Sequence, residues 1–308
     1  MRYGLIVDTA RPVAAIVEEV RGLAAAGLHS VATSQIFGYD ALTLLAVVGA
    51  AVPDIELVTA VVPTYPRHPI ALAAQALTVQ AVTGGRLTLG IGLSHQVVVE
   101  GVYGLSYDRP ARHMREYLSV LGPLLRGEQV AFEGETMRVA TMGPLEVGAP
   151  APPVLVAALG PVMLGLAGSL ADGTSTWMTG PATVDAHITP TITAAAEAVG
   201  RSRPRVSVGL PVCVTHDPDA ARSRADTVFA IYGRLPSYRA MLDREGAAGP
   251  GDVAVVGDEE SVAAQLRALA EVGATECTAA PFGSAEERAR TVALVTGLAV
   301  GTPPRPRD

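Results

Sequence analysis

Strand-like and helix-like segments alternate from one end of this 308-residue chain to the other, eight times, with no internal repeat and no linker. Such alternation leaves two architectures, a closed (β/α)8 barrel or an open doubly wound sheet, both built on parallel strands. Apolar or β-branched runs at 2–8, 30–37, 55–62, 86–92, 153–159, 174–178, 205–214 and 276–281 read as the strands. Helix signals fill the intervals. Pro12 precedes Ile16, Val20 and Leu23 with Gly27 as a stop, Asp40 opens an apolar helix, and Pro69 and Pro161 sit in first turns. Met114, Leu118, Leu121 and Leu125 stripe a fourth helix, and Asp258 caps one carrying Val262, Leu266 and Leu269. A further helical stretch from Asp217 is interrupted near Leu235 and Pro236. The pattern breaks only at about 129–150, where EGETMRVA between Gly and Pro predicts a hairpin insertion after the fourth helix. We therefore expect one domain over 1–300 and a frayed Pro/Arg-rich tail at 301–308.

Composition narrows the function. Hydrophobic residues make up 49% of the chain, enough for a large core, and a net charge of -7 without a basic cluster argues against nucleic acid. No apolar run approaches the roughly 18 residues of a membrane span. Asp8 falls where a secretion signal needs apolar residues, so a cytoplasmic location is expected. Cys213 and Cys277 read as small core residues in a reducing compartment. All 23 basic residues are arginine, and without lysine there is no Schiff-base chemistry, no pyridoxal phosphate linkage and no phosphate-loop lysine. Asparagine is absent too, which points to a GC-rich genome. There is no HExxH, no Cys/His zinc spacing and no GxSxG elbow, so neither a metal nor a serine nucleophile is expected.

Ligands of α/β folds sit at the carboxyl ends of strands, so the residues there form one candidate group. Gln35, beside Ile36 and Phe37, offers an uncharged amide to a flat heterocycle; the alternative is an amide satisfied by backbone. Arg67 and His68, just before Pro69, fit either an anion or a solvated loop. Gly90 and Gly92 would let a ligand approach the backbone, and Ser94 and His95 are the polar groups that follow. This Gly-x-Gly lacks the third glycine and the immediate helix start of a dinucleotide fingerprint. Gly160 before Pro161 leaves the amides of Val162 and Met163 facing the rim, a place for a phosphate. Trp177 either lines a pocket or fills core, and His113 reads as structural or surface.

Five segments, SQIFGYDALT, TAVVPTYPRHP, TGGRLTLGIGLSH, YDRPARHMREYL and AALGPVMLGLAGSLADG, cover about residues 34–173 and together resemble the luciferase-like superfamily. Within it they resemble the actinobacterial oxidoreductases that use the deazaflavin coenzyme F420. The resemblance implies a (β/α)8 TIM barrel with an insertion and a tricyclic ring in its mouth. It maps a non-prolyl cis peptide behind the ring to Ala60 and Val61. Gly92, Leu93, Ser94 and His95 would line the ring and its side chain, and Ala158, Leu159 and Gly160 with Val162 and Met163 would hold the cofactor phosphate. Where many deazaflavin enzymes carry an Asp-His pair after strand two, this chain has Gln35 and Ile36, which leaves His95 as the candidate catalytic proton donor.

The implied function is hydride transfer between F420 and a small, neutral organic substrate with a C=C, C=N or C=O bond. A two-component monooxygenase using FMN is the alternative on the same fold, and a cofactor-binding relative without turnover is a third. Family resemblance also implies a homodimer.

Overall fold

The computed structural model describes residues 1–301, so the frayed tail predicted at 301–308 lies outside the described residues apart from Gly301. Eight parallel strands form its centre: β1 (Arg2–Ile6), β2 (Ser30–Thr33), β3 (Glu56–Thr59), β4 (Leu87–Gly92), β5 (Val154–Val156), β6 (Gly173–Trp177), β7 (Arg205–Val214) and β8 (Glu276–Pro281). Each pairs with the next, and β8 pairs with β1 in the register Tyr3 to Cys277, which closes the ring. Closure decides for the (β/α)8 barrel over the open sheet. Helices follow the strands as expected, with Asp40 and Asp258 accepting hydrogen bonds from the amides of Thr43 and Ser261 at 2.8 and 2.9 Å. Among the described residues, no helix is long and apolar enough to cross a membrane.

Two strand expectations change. The run 55–62 is not continuous, because the chain breaks after Thr59 and resumes as Val62–Pro63 beside Ile91 and Gly92. An unexpected short strand, Val255–Gly257, runs parallel to Val212–Val214. β7 is ten residues long and outlasts β6, whose pairing stops at Gly209, so its upper end needs another neighbour. Three apolar residues just before the Asp258 cap gave no sign of that role.

A buried ion cluster fills the amino end of the barrel. Arg205 of β7 donates to Glu276 of β8 (2.7 Å), Glu56 of β3 (2.9 Å) and the Thr88 hydroxyl of β4 (2.9 Å), and Arg2 of β1 also reaches Glu56. The charges are paired and multiply hydrogen-bonded, as burial demands. Residues alternate in and out along each strand. Counting up from this cluster, Gly90, Gly92, Ala157, Ser175, Gly209 and Ala280 turn inward. Large charged side chains therefore occupy the bottom, while at the mouth small residues of β4, β5, β7 and β8 face Trp177, which the same count turns inward from β6 beside Gly209.

The predicted insertion is a two-stranded antiparallel hairpin, Ala131–Glu133 with Arg138–Ala140. Glu116, on the helix Pro110–Leu125, holds its turn. The carboxylate accepts from the amides of Glu135 (2.9 Å) and Thr136 (2.8 Å) and from the Thr136 hydroxyl (2.7 Å). Gly134 is required here, since a Cβ would lie 2.4 Å from the Glu116 carboxylate. Arg109 and Arg112 add ion pairs to Glu135.

Candidate active site

Three strand exits converge at the mouth. The Ala60–Val61 peptide is cis, where the sequence resemblance placed it. Ser34 donates its hydroxyl to the Ala60 carbonyl at 2.7 Å, and the Thr64 amide donates to the Gly92 carbonyl at 2.9 Å. A Cβ on Gly92 would come within 2.7 Å of the Val61 side chain and 3.1 Å of the Ala157 methyl. Val61, Gly92 and Ala157 thus form one small-residue floor. The glycines serve a purpose that sequence reasoning did not see. A Cβ on Gly90 would sit 1.9 Å from the Thr59 carbonyl, and the Thr59 hydroxyl bridges the Gly90 amide and carbonyl at 2.8 and 2.7 Å. Gly90 is required by the close packing of β3 on β4.

Beyond the floor, Leu93, Ser94 and His95 are half-buried. Ser94 is left-handed (φ 62°), which turns the chain into a short helix, Gln96–Gly101, where the sequence reading had none. Burial holds His95 below the usual histidine range, so its imidazole is neutral at pH 7. The ring lies 5.7 Å from that of Tyr238. Gln35 is half-buried, and its carbonyl oxygen accepts from the Ala41 amide at 2.7 Å, which leaves the NH2 as the pole free for a ligand. Arg67 pairs with Asp40 at 2.5 Å and His68 accepts from the Ile70 amide at 3.3 Å, so both support helix starts.

On the β5 side, Gly160 is the cap residue of the helix Pro161–Leu170, and no side chain caps that end. The amides of Val162 and Met163 keep their hydrogen-bonding capacity, and a Cβ on Gly160 would meet nothing within 4 Å. Ala158 is buried, while Leu159 is half-buried and its carbonyl lies 2.8 Å from His187 Nε2. The Thr174 hydroxyl donates to the Ala158 carbonyl at 3.1 Å. His187 had no interpretable context in the sequence; it steadies this turn from a helix far along the chain.

Aromatic rings complete the mouth. Trp177 ends β6 and packs edge-on to Phe229 (5.9 Å) and Tyr232 (5.8 Å); Tyr232 meets Tyr238 at 5.0 Å, and Tyr238 meets His95. A string of rings therefore runs from β6 to the β4 exit through the segment after β7. Glu245 holds that segment by accepting from the amides of Ala182 and Thr183 at 3.0 and 2.7 Å. A second group stacks after β3: Tyr65 lies parallel to His113 at 4.1 Å and near Tyr107 at 5.3 Å, with His113 Nε2 3.0 Å from the Thr64 hydroxyl. His113 is structural, as read from sequence. A cleft of about 530 Å3 opens between these groups, lined by Ser94, His95, Glu100, Tyr107, Leu235 and Ser237 among others. Another hollow, about 330 Å3, lies at the opposite end among Met1, Tyr3 and Arg267, remote from every strand exit. Among the described residues no cluster of His, Cys, Asp or Glu is arranged to hold a metal.

Together these features fit a flat ring on the floor, a phosphate at the uncapped helix start and a reactant in the cleft. A family model described as luciferase-like monooxygenase matches residues 2–276. The 5,10-methylenetetrahydromethanopterin reductase of Methanolobus tindarius is 25% identical over 321 aligned positions, covering 94% of this chain and 97% of that protein. Among solved structures, the coenzyme F420 dependent tetrahydromethanopterin reductase of Methanopyrus kandleri superposes with a TM-score of 0.80 at 19% identity, covering 96% of this chain and 97% of that one. The oxygenating constituent of 3,6-diketocamphane monooxygenase from Pseudomonas putida, in complex with FMN, gives 0.74 at 17% identity, covering 99% and 100%.

Proposed function

Since this chain belongs to the luciferase-like monooxygenase family, we propose that it is an oxidoreductase moving a hydride between coenzyme F420 and a small organic substrate with a C=C, C=N or C=O bond. The observation that carries this reading is the meeting of Val61, Gly92 and Ala157 in a floor without bulky side chains, next to the uncapped helix start at Gly160. In it, Ala60, Val61, Gly92 and Leu93 support the ring, Gln35 offers its NH2, and the amides of Val162 and Met163 take the phosphate beside Ala158, Leu159 and Gly160. Bound there, the deazaflavin supplies a hydride carrier. The chain supplies position, and the ring string from Trp177 to Tyr238 keeps water from the floor.

His95 and Ser94 are the polar side chains at the boundary of floor and cleft. As a neutral imidazole, His95 is suited to accept a proton when a substrate is oxidised and is a weak donor when one is reduced. The deazaflavin assignment draws on the F420-dependent reductase among the structural relatives; the FMN complex in the same fold supports the alternative, a two-component monooxygenase.

Equilibrium titration of the purified protein with F420 and with FMN, followed by cofactor fluorescence, separates the readings. Tighter binding of F420 is expected. Preference for FMN would transfer the assignment to the monooxygenase, and binding of neither would defeat both.

A further inference from the structure

The turn that leads from β5 into the helix Pro161–Leu170 is held from behind. The carbonyls of Ala158, Leu159 and Gly160 each have a partner: the Thr174 hydroxyl at 3.1 Å, His187 Nε2 at 2.8 Å and the Leu164 amide at 2.9 Å. A carbonyl oxygen can only accept, so Nε2 of His187 carries the hydrogen. The amides of the same turn are unclaimed. Among the described residues those of Leu159 and Gly160 donate to no protein acceptor, and with Val162 and Met163 they make a run of open donors interrupted only by Pro161. The two facts are coupled. These peptides are trans, and across a trans peptide plane the N–H and C=O point in opposite directions. Drawing the Leu159 carbonyl towards His187 therefore turns the Gly160 N–H to the other side, and the Thr174 hydroxyl does the same for the Leu159 N–H.

His187 reaches the turn from an uncommon setting. It is buried (9% exposed) within Val184–Ile188, a π turn in which the Thr189 amide donates to the Val184 carbonyl. Such turns are rare and recur at functional sites. The segment is pinned on either side of the imidazole, by Glu245 on the amides of Ala182 and Thr183 and by the Thr189 hydroxyl, which donates to the Val272 carbonyl at 2.9 Å. Resting on the reading above, we infer that His187 is a positioning residue for the cofactor phosphate: without touching the anion, it aims the Gly160 amide at the phosphate and holds the Leu159 carbonyl oxygen away from it. Released from His187, the Leu159–Gly160 peptide would be free to rotate, losing a donor and presenting an oxygen to the anion. F420 and FMN both carry a phosphate, so the role of His187 is the same with either.

The test is an amide NMR titration of the isotope-labelled full-length protein with inorganic phosphate, followed at Gly160, Val162 and Met163. Saturable shifts at these amides are expected in the parent protein. His187→Phe keeps a ring and loses the donor, and should weaken phosphate binding about tenfold, as one buried hydrogen bond allows. His187→Gln brings a side-chain NH2 near the position of Nε2 and should return the affinity to within about twofold of the parent. His187→Asn is a methylene too short to reach the carbonyl; it should bind phosphate as weakly as the Phe variant, and replaces that variant if the ring does not fold. A second readout separates aim from mere packing. H187F should bind F420 about tenfold more weakly and the same deazaflavin without its phosphate as well as the parent does, whereas a general loss of structure would weaken both. Absence of phosphate shifts in the parent, undiminished affinity in H187F or H187N, failure of H187Q to restore it, or equal loss of the phosphate-free chromophore each overturns the inference. Inorganic phosphate reports without cofactor, so a failed F420 titration defeats the functional reading while the dependence of the phosphate shifts on His187 is read separately.

Discussion

Glu116 shows how much one carboxylate can organise. It is buried (6% exposed) on the helix Pro110–Leu125, yet it remains ionised. Burial raises its pKa, and the Thr136 hydroxyl with the amides of Glu135, Thr136 and Met137 more than offsets this, so the carboxyl is held below its usual range. A depressed carboxyl contributes stability that is present above the unfolded value, about 4.3, and is lost as pH falls through the lower folded value. Glu116→Gln should therefore cost about 1–3 kcal/mol at neutral pH, and the gap to the parent protein should narrow towards pH 3 or so. Urea unfolding at the two pH values checks both halves. In the sequence Glu116 is one more polar residue of an amphipathic helix. Its partners are backbone amides some twenty positions away, which leave no mark on residue type; His187, on the Leu159 carbonyl, and Glu245, on the amides of Ala182 and Thr183, likewise meet distant backbone.

At the level of elements, what was legible was local chemistry. Proline in a first turn, Asp40 and Asp258 as caps, and Gly160 before Pro161 all act within a few residues, and the structure has each in that place. The short strand Val255–Gly257 and the ring string from Trp177 to His95 were not legible, because each depends on partners in other segments. The glycines of β4 were seen, but their crowding against Thr59 and Val61 was not, because it comes from residues of another segment. The uncapped helix start makes a sharp prediction. Gly160→Asp would supply the missing cap from a carboxylate, with open space to receive it. Stability should rise or stay within about 1 kcal/mol, while affinity for a phosphate-bearing cofactor should fall at least about tenfold through competition and repulsion. A thermal melt and a cofactor titration on the same variant give both numbers; unchanged affinity would remove the phosphate from this helix.

For the whole molecule, the alternation of elements predicted parallel strands and helices, but closure rests on the pairing of β1 with β8, ends of the chain that no local signal connects. The barrel then separates its tasks by depth, with paired charges at the amino end and small residues at the mouth. Arg205→Met should leave Glu56 and Glu276 under-compensated and cost about 3–5 kcal/mol in unfolding free energy. Because the cluster lies at the far end from the floor, cofactor affinity should stay within about twofold, which denaturation and titration of one variant would establish.

Closure has a further consequence, for how this chain meets others of its kind. A ring of eight paired strands has no terminal strand, and so offers no row of unpaired amides and carbonyls on which a foreign strand could be templated. Among the described residues that opportunity is confined to short places: the free side of the two-residue Val62–Pro63, the outer side of Val255–Gly257 and the two margins of the hairpin, Ala131–Glu133 and Arg138–Ala140. None is longer than three residues, and the hairpin margins carry Glu133 and Arg138. Fibril-like growth through backbone pairing has almost nowhere to begin on the folded protein, and self-association of this barrel is left to its side chains.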